Sequence, residues 1–142
     1  MTAMIKELLL VVSIIDGDTI KVLDHDQTQL RVRLASIDAP ERKQPFGRKA
    51  SMMLADFVGN RKVDLNCPTK DRYNRWICTV YLDDIDINKL MVLGGGAWVY
   101  RRYYSGTSYL VAEEEAKREK RGLWGTSEYG IMPPWEWRQR NK

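Results

Sequence analysis

Histidine is almost missing from this 142-residue chain. The one copy, His25, lies in the polar turn DHDQ and reads as a solvent-facing turn residue. A lone imidazole gives poor support to a histidine base or to a histidine-rich zinc site. Cysteine is nearly as scarce: Cys67 and Cys78 form no CxxC, so thiolate metal binding is not expected. The two flank a tight turn around Arg72 and Tyr73, which on a hairpin sets them nearly opposite each other. A cross-strand disulfide and a pair of small buried hydrophobes both fit that placement. A bridge would point to the periplasm or the outside of the cell. No apolar run is long enough to span a bilayer, and no membrane partner is expected. The early run LLLVVSII superficially resembles a signal core. No small-residue cleavage site follows it and the carboxylates of DGDT come at once, so it reads as a first strand. A chain whose signal had been removed would be periplasmic or secreted; otherwise it would be cytoplasmic. GxSxG, HExxH and P-loop patterns, internal repeats and low-complexity tracts are also absent.

What is present suits one folded domain over residues 1–142, with 126–142 as a C-terminal tail, and a monomer is expected. Hydrophobic residues make up 44% and charged residues 30%, which argues against disorder. A net charge of +4 is compatible with a polyanionic partner but identifies none. Residues 5–14, 18–23 and 29–36 read as strands, and 62–67 with 76–82 as a hairpin around DRYNR. A helix is expected after Pro45, with Phe46, Ala50, Leu54, Phe57 and Val58 on one face. A short helix runs from an Asp86 cap to the triple glycine Gly94–Gly96, and a longer one from Thr107 or Ser108 to Gly122. Glu113–Lys117 and Glu114–Arg118 on that last helix are most simply a solvated face. Five short strands broken by helices suggest an α+β fold, a small barrel of the OB type.

Polar chemistry gathers in three segments. Asp16-Gly17-Asp18-Thr19 sets two carboxylates around a glycine between two strands. That is an ordinary turn or a pair of hard-cation ligands. In RVRLASIDAPE, strand alternation sends Val32 and Leu34 to one side and Arg31 and Arg33 to the other. Arg33, Asp38 and Glu41 would then meet on a barrel rim. The arginine could fork onto a phosphate, one carboxylate hold a metal and the other handle a water, or the group could be a surface ion pair. KDRYNRW places Arg72, Tyr73 and Arg75 in a hairpin turn, either a solvated loop or the second half of a phosphate clamp.

Taken together, IDGDTI, VRLASIDAPE, FGRKA, DRYNR, NKLMVLGGGAWVYRR and EEEAKREKRGLWG resemble the staphylococcal nuclease family, in the family's order and over almost the whole chain. The resemblance implies an OB-type five-stranded barrel with three helices. It also implies a calcium-dependent nuclease acting on DNA or RNA and leaving 3′-phosphate and 5′-hydroxyl ends. Asp18 and Asp38 match the metal carboxylates, and Ala39 the residue whose carbonyl completes them; the best-known member has threonine there. Glu41 matches the residue that activates or orients the attacking water, and Arg33 and Arg75 match the phosphate-binding arginines. Arg72 and Tyr73 match positions that contact the terminal phosphate. Trp98 and Tyr100 match aromatics near the nucleobase, where packing against the barrel is an equal role for Trp98. Trp135 and Trp137 are expected to dock the C-terminal stretch, and Arg138, Arg140 and Lys142 to attract phosphate or keep the end soluble. The competing class is an OB-type nucleic-acid-binding module without catalysis. Degenerate members of that sort normally lack one or more of the metal carboxylates or clamp arginines, and Asp18, Arg33, Asp38, Glu41 and Arg75 are all present here.

Overall fold

The structure, a computed structural model, describes residues 4–126 and 131–142. The apolar N-terminal run is a strand, β1 (Met4–Asp16), followed by β2 (Thr19–Leu23) and β3 (Gln29–Leu34). Alternation decides what each strand buries: Leu9 and Val11, Ile20 and Val22, and Val32 and Leu34 all fill the interior. A two-residue strand, β4 (Ile37–Asp38), leads to helix α1 (Gly47–Val58). Ala50, Leu54 and Val58 of α1 are buried, and Phe46 and Phe57 pack against the same core. Strands β5 (Lys62–Lys70) and β6 (Trp76–Leu82) form the expected hairpin, and the short β7 (Ile85–Asp86) follows. Helix α2 (Ile87–Leu93) is capped as expected, Asp86 Oδ1 accepting from the Lys89 N–H at 2.9 Å. Then come β8 (Trp98–Val99), α3 (Ser108–Arg118) and α4 (Pro134–Arg140).

Pairing runs β3-β2-β1-β5-β6-β7, and β3 also pairs with β6. That last pair is parallel, with Val32 opposite Trp76, Arg33 opposite Ile77 and Leu34 opposite Cys78. It closes five strands into a barrel and removes the exposed edges an open sheet would leave. The OB-type α+β fold is therefore present, with a fourth helix, α4, in the stretch expected as a tail. Pro134 opens that helix with its φ already set for helix, and basic Arg138 and Arg140 sit in its last turn.

Two polar features stitch the barrel to its helices. Asn88 of α2, fully buried, accepts from the Val80 N–H and donates to the carbonyls of Ala35 and Cys78, each at 3.0 Å. The solvated face expected for α3 needs correction at Glu113, which is buried rather than solvated. Its carboxylate accepts from the Val99 N–H at 2.7 Å and from Arg101 at 2.6 Å, with Lys117 at 3.5 Å. It supplies a backbone acceptor to β8, which no side chain on a solvated face could do.

Of the two alternatives open for the cysteines, the structure takes the disulfide: Cys67 of β5 is bonded to Cys78 of β6. The bridge closes a loop with a sequence separation of 11. Restricting the unfolded chain over a loop of that size is worth about 3 kcal/mol. Reductant, or the double replacement of both cysteines by alanine, should lower the urea unfolding midpoint accordingly. An unchanged midpoint in both would contradict the bridge.

Candidate active site

The Asp16–Thr19 segment is the tight connection between β1 and β2, with Asp16 opposite Thr19. Gly17 is there because nothing larger fits. A Cβ at that position would lie 2.8 Å from the Ala39 Cβ and 2.9 Å from the Ala50 Cβ, so β4 and α1 press directly on the turn. The packing turns Asp18 into the rim of the barrel, where only 5% of it is exposed. Its Oδ2 accepts from the Ala39 N–H at 2.7 Å and its Oδ1 from the Thr19 hydroxyl at 3.1 Å. Asp38, 1% exposed, is set beside it by the β4–β8 pairing, which places it opposite Trp98. A Cβ on Gly47 would lie 2.0 Å from the Glu41 carbonyl, so this glycine lets the start of α1 close against the loop that carries Glu41.

Arg33, next to last in β3, lies opposite Thr19. Its Nη2 stands 3.5 Å from Asp18 Oδ2 and 3.5 Å from Asp38 Oδ1, while Nη1 donates to the Leu34 carbonyl. One guanidinium therefore spans both buried carboxylates. Burial opposes ionisation of Asp18, yet Arg33, with hydrogen bonds from Asp16, Ala39 and Thr19, holds it below the usual carboxylate range. For Asp38 burial wins: its pKa is raised despite the lowering by Arg138 and Arg33. Asp16, pressed by burial first and by the adjacent Asp18 second, is pushed up to about 7.

Glu41 joins this group through a residue that sequence reasoning placed elsewhere. Arg138 of α4 donates from Nη1 to Glu41 Oε1 at 2.6 Å and from Nη2 to Asp38 Oδ2 at 2.7 Å, with Nη1 also 3.2 Å from Asp38 Oδ1. Of the three basic residues expected to attract phosphate or solubilise the end, Arg138 instead reaches the centre of the site, while Arg140 and Lys142 are exposed.

Arg75 stands apart from the carboxylates. It follows a turn built by Asp71, whose Oδ1 accepts from the N–H groups of Tyr73 at 2.9 Å and Arg75 at 3.0 Å. Asp71 Oδ2 takes the Arg75 Nε–H at 2.9 Å. Opposed by burial but favoured by these bonds, Asp71 is held below its ordinary value. Continuing the β3–β6 register one residue back from the Val32–Trp76 pair would set Arg75 alongside Arg31, on the side of the sheet that Arg33 shares. Arg72 donates to the Tyr73 hydroxyl at 3.0 Å, and the guanidiniums of Arg72 and Arg75 lie 5.0 and 5.6 Å from the Tyr73 ring centre. Tyr73 is exposed. Trp98 is packed edge-on between Trp124 and Trp135, and Trp135 is stacked on Tyr100, 5.4 Å between centres at 11°. The aromatics expected near a base therefore already carry a partner from α4.

The residues brought together are thus Asp18, Arg33, Asp38, Ala39 and Glu41, with Arg72, Tyr73 and Arg75 on the neighbouring turn. Asp16, Asp71 and Arg138 complete the arrangement and were not singled out individually. Asp16 was visible in the DGD motif and Asp71 in the turn sequence, but Arg138 lies 100 residues from Asp38 and gave no local signal.

The implied metal can be tested against these donors. Asp18 and Asp38 offer hard carboxylate oxygens, which suit calcium or magnesium and not a soft ion. Among the described residues no three ligating side chains group closely enough to hold an ion alone. Backbone, water and substrate oxygens would have to complete the shell, as is usual for hard cations. The donor set fits on those terms. The raised Asp16 gives a prediction for the metal-free protein. A carboxyl at 3.8 when unfolded and about 7 when folded favours folding fully below the first value, and that contribution is lost as pH rises through the second. With chelator present, Asp16→Asn should therefore raise the thermal midpoint over wild type more at about pH 8 than at about pH 5. An equal gain at both would refute the assignment.

Residues 31–126 match the family described as staphylococcal nuclease homologue. An uncharacterized endonuclease of Escherichia coli O157:H7 is 42% identical over 131 residues, covering 92% of this chain and 84% of that protein. A micrococcal nuclease of Shigella flexneri is 42% identical over 143 aligned positions, covering 93% and 80%. A staphylococcal-like nuclease of Arabidopsis thaliana, CAN1, is 32% identical over 114 residues, 80% of this chain but 35% of its own length. With the barrel closed by β3 and β6 and the ordered motifs gathered on its rim, the chain belongs to the staphylococcal nuclease family.

Proposed function

We propose that this chain is a calcium-dependent endonuclease hydrolysing phosphodiester bonds of DNA or RNA with little sequence preference, leaving 3′-phosphate and 5′-hydroxyl ends. One observation carries the reading: Arg33 bridges two buried carboxylates, Asp18 and Asp38, while Glu41 is tied to the same Asp38. Family membership and the nuclease names of the relatives support it.

Each group has a task its position suits. Asp18 and Asp38, with the Ala39 carbonyl, would hold the cation. When bound, calcium supplies a charge that polarises a phosphate oxygen and helps place a water. Glu41, on a loop and only partly covered, takes the proton of that water or orients it for in-line attack on phosphorus. Arg33 contacts its carboxylates at 3.5 Å, longer than a close ion pair, and can turn its fork to the phosphate. Arg75, on the same outward side, neutralises charge building toward the leaving 5′ oxygen. Arg72 and Tyr73 present a cation and an aromatic ring to the terminal phosphate, and Trp98 and Tyr100 border the base. Because these contacts go to phosphate, they carry little base information. The disulfide suits action in an oxidising compartment.

Plasmid and RNA digestion with calcium, magnesium or chelator, with the product ends identified, tests the reading. Cleavage is expected with calcium and not with chelator. Arg33→Ala, Glu41→Ala and Arg75→Ala should each slow it by about 10²–10³-fold, the scale of one lost transition-state donor. Nucleic acid held but left uncut under calcium would favour the binding module.

A further inference from the structure

Helix α4 is anchored at three points that aim one side chain into the site. Trp135 stacks on Tyr100 and meets Trp98 edge-on at 5.7 Å. Gln44, buried beneath the Glu41 loop, accepts from the Glu41 N–H at 3.1 Å and donates to the Met132 carbonyl at 2.8 Å. A single amide thus ties the Glu41 loop to the approach to α4. Arg138 lies three residues beyond Trp135, hence on the same side of the helix. With Trp135 fixed on Tyr100, Arg138 has to face the rim.

There the guanidinium meets two anions that would otherwise repel each other. Its fork covers both oxygens of Asp38, which is buried, and one oxygen of Glu41, which is not. Arg33 reaches Asp18 and Asp38, whereas the cation that pairs with Glu41 among the described residues is Arg138. Asp38 is held by β4 and cannot move much, so the fork transfers that rigidity to a carboxylate on a loop.

We propose that Arg138 is a positioning residue for the hydrolysis: it holds the Glu41 carboxylate beside Asp38, and α4 thereby completes the active site. The inference rests on the nuclease reading above. Arg138 acts through Glu41 and need not touch the substrate. A guanidinium on Asp38 could instead obstruct the cation, and the two roles have opposite consequences.

The test compares wild type, Arg138→Ala, Arg138→Lys, Glu41→Gln and the double variant Arg138→Ala/Glu41→Gln. Steady-state cleavage is measured at saturating calcium, and calcium binding separately by calorimetry. Arg138→Ala should lower kcat by about 10–100-fold, the usual cost of losing the partner of a site carboxylate, with KM little changed. Arg138→Lys should recover part of the rate by keeping a cation without the fork. In the Glu41→Gln background, Arg138→Ala should add nothing, because both changes remove one device. Calorimetry should show calcium binding no weaker in Arg138→Ala than in wild type. Fully additive losses would overturn the proposal, since a general structural defect adds to any other. So would calcium binding weakened in Arg138→Ala, or an Arg138→Ala variant as fast as wild type or faster, the mark of an obstructing cation. Wild type that fails to cleave under calcium would overturn the nuclease reading itself, and this inference with it.

Discussion

Asp18 and Asp38 lie almost out of contact with water at one end of the barrel, and anions so placed must be matched by cations or give up their charge. Arg33 is the match. Because it stands next to last in β3, between the inward Val32 and Leu34, its side chain leaves the barrel where the β1–β2 turn and β4 come together. Much of the surrounding architecture serves that meeting. Gly17 lets Ala39 and Ala50 close over the turn, and Gly47 lets α1 close over the Glu41 loop. Burial still weighs on the carboxyls at this end, raising Asp16 and Asp38 despite the arginines beside them.

The second cation at this rim comes from the far end of the chain. A site made only of β-strand residues would leave Glu41 on a loop with freedom to wander. By stacking Trp135 on Tyr100 and anchoring Met132 through Gln44, the C-terminal segment brings Arg138 over that loop. The aromatic cluster thereby does more than cover the barrel, because it fixes the angle from which a guanidinium approaches two carboxylates.

The strands and the outward placement of Arg33 were legible in the sequence because strand alternation is a local code: once Val32 and Leu34 are inward, Arg33 is outward. The grouping of Asp18, Asp38, Glu41 and Arg75 with it was read from the ordered family motifs. The Asp86 cap was legible for the same reason: its partner is three residues away. Features depending on distant partners were not. The β4–β8 pair is two residues long and has no periodicity to detect. Glu113 and Lys117 show a spacing common on exposed helices, and only the position of β8 makes the glutamate buried. The disulfide remained open between two alternatives because opposition on a hairpin places sulfurs near each other without bonding them. Arg138 sits in a seven-residue helix, too short to announce which side it buries.

The parallel β3–β6 pair, mentioned above only as the closure of the barrel, also sets when in folding the two outward arginines become neighbours. Every other pair in the barrel is antiparallel, and β1–β2, β2–β3 and β5–β6 join strands adjacent in the chain. Contacts between distant segments pay their loop entropy before they gain anything, so they tend to form late. Until Val32 finds Trp76, Arg33 and Arg75 belong to separate hairpins. A partly folded chain therefore has its hairpins before it has a closed barrel, and the arginines of β3 and of the β5–β6 turn come to one assembly only with the final architecture.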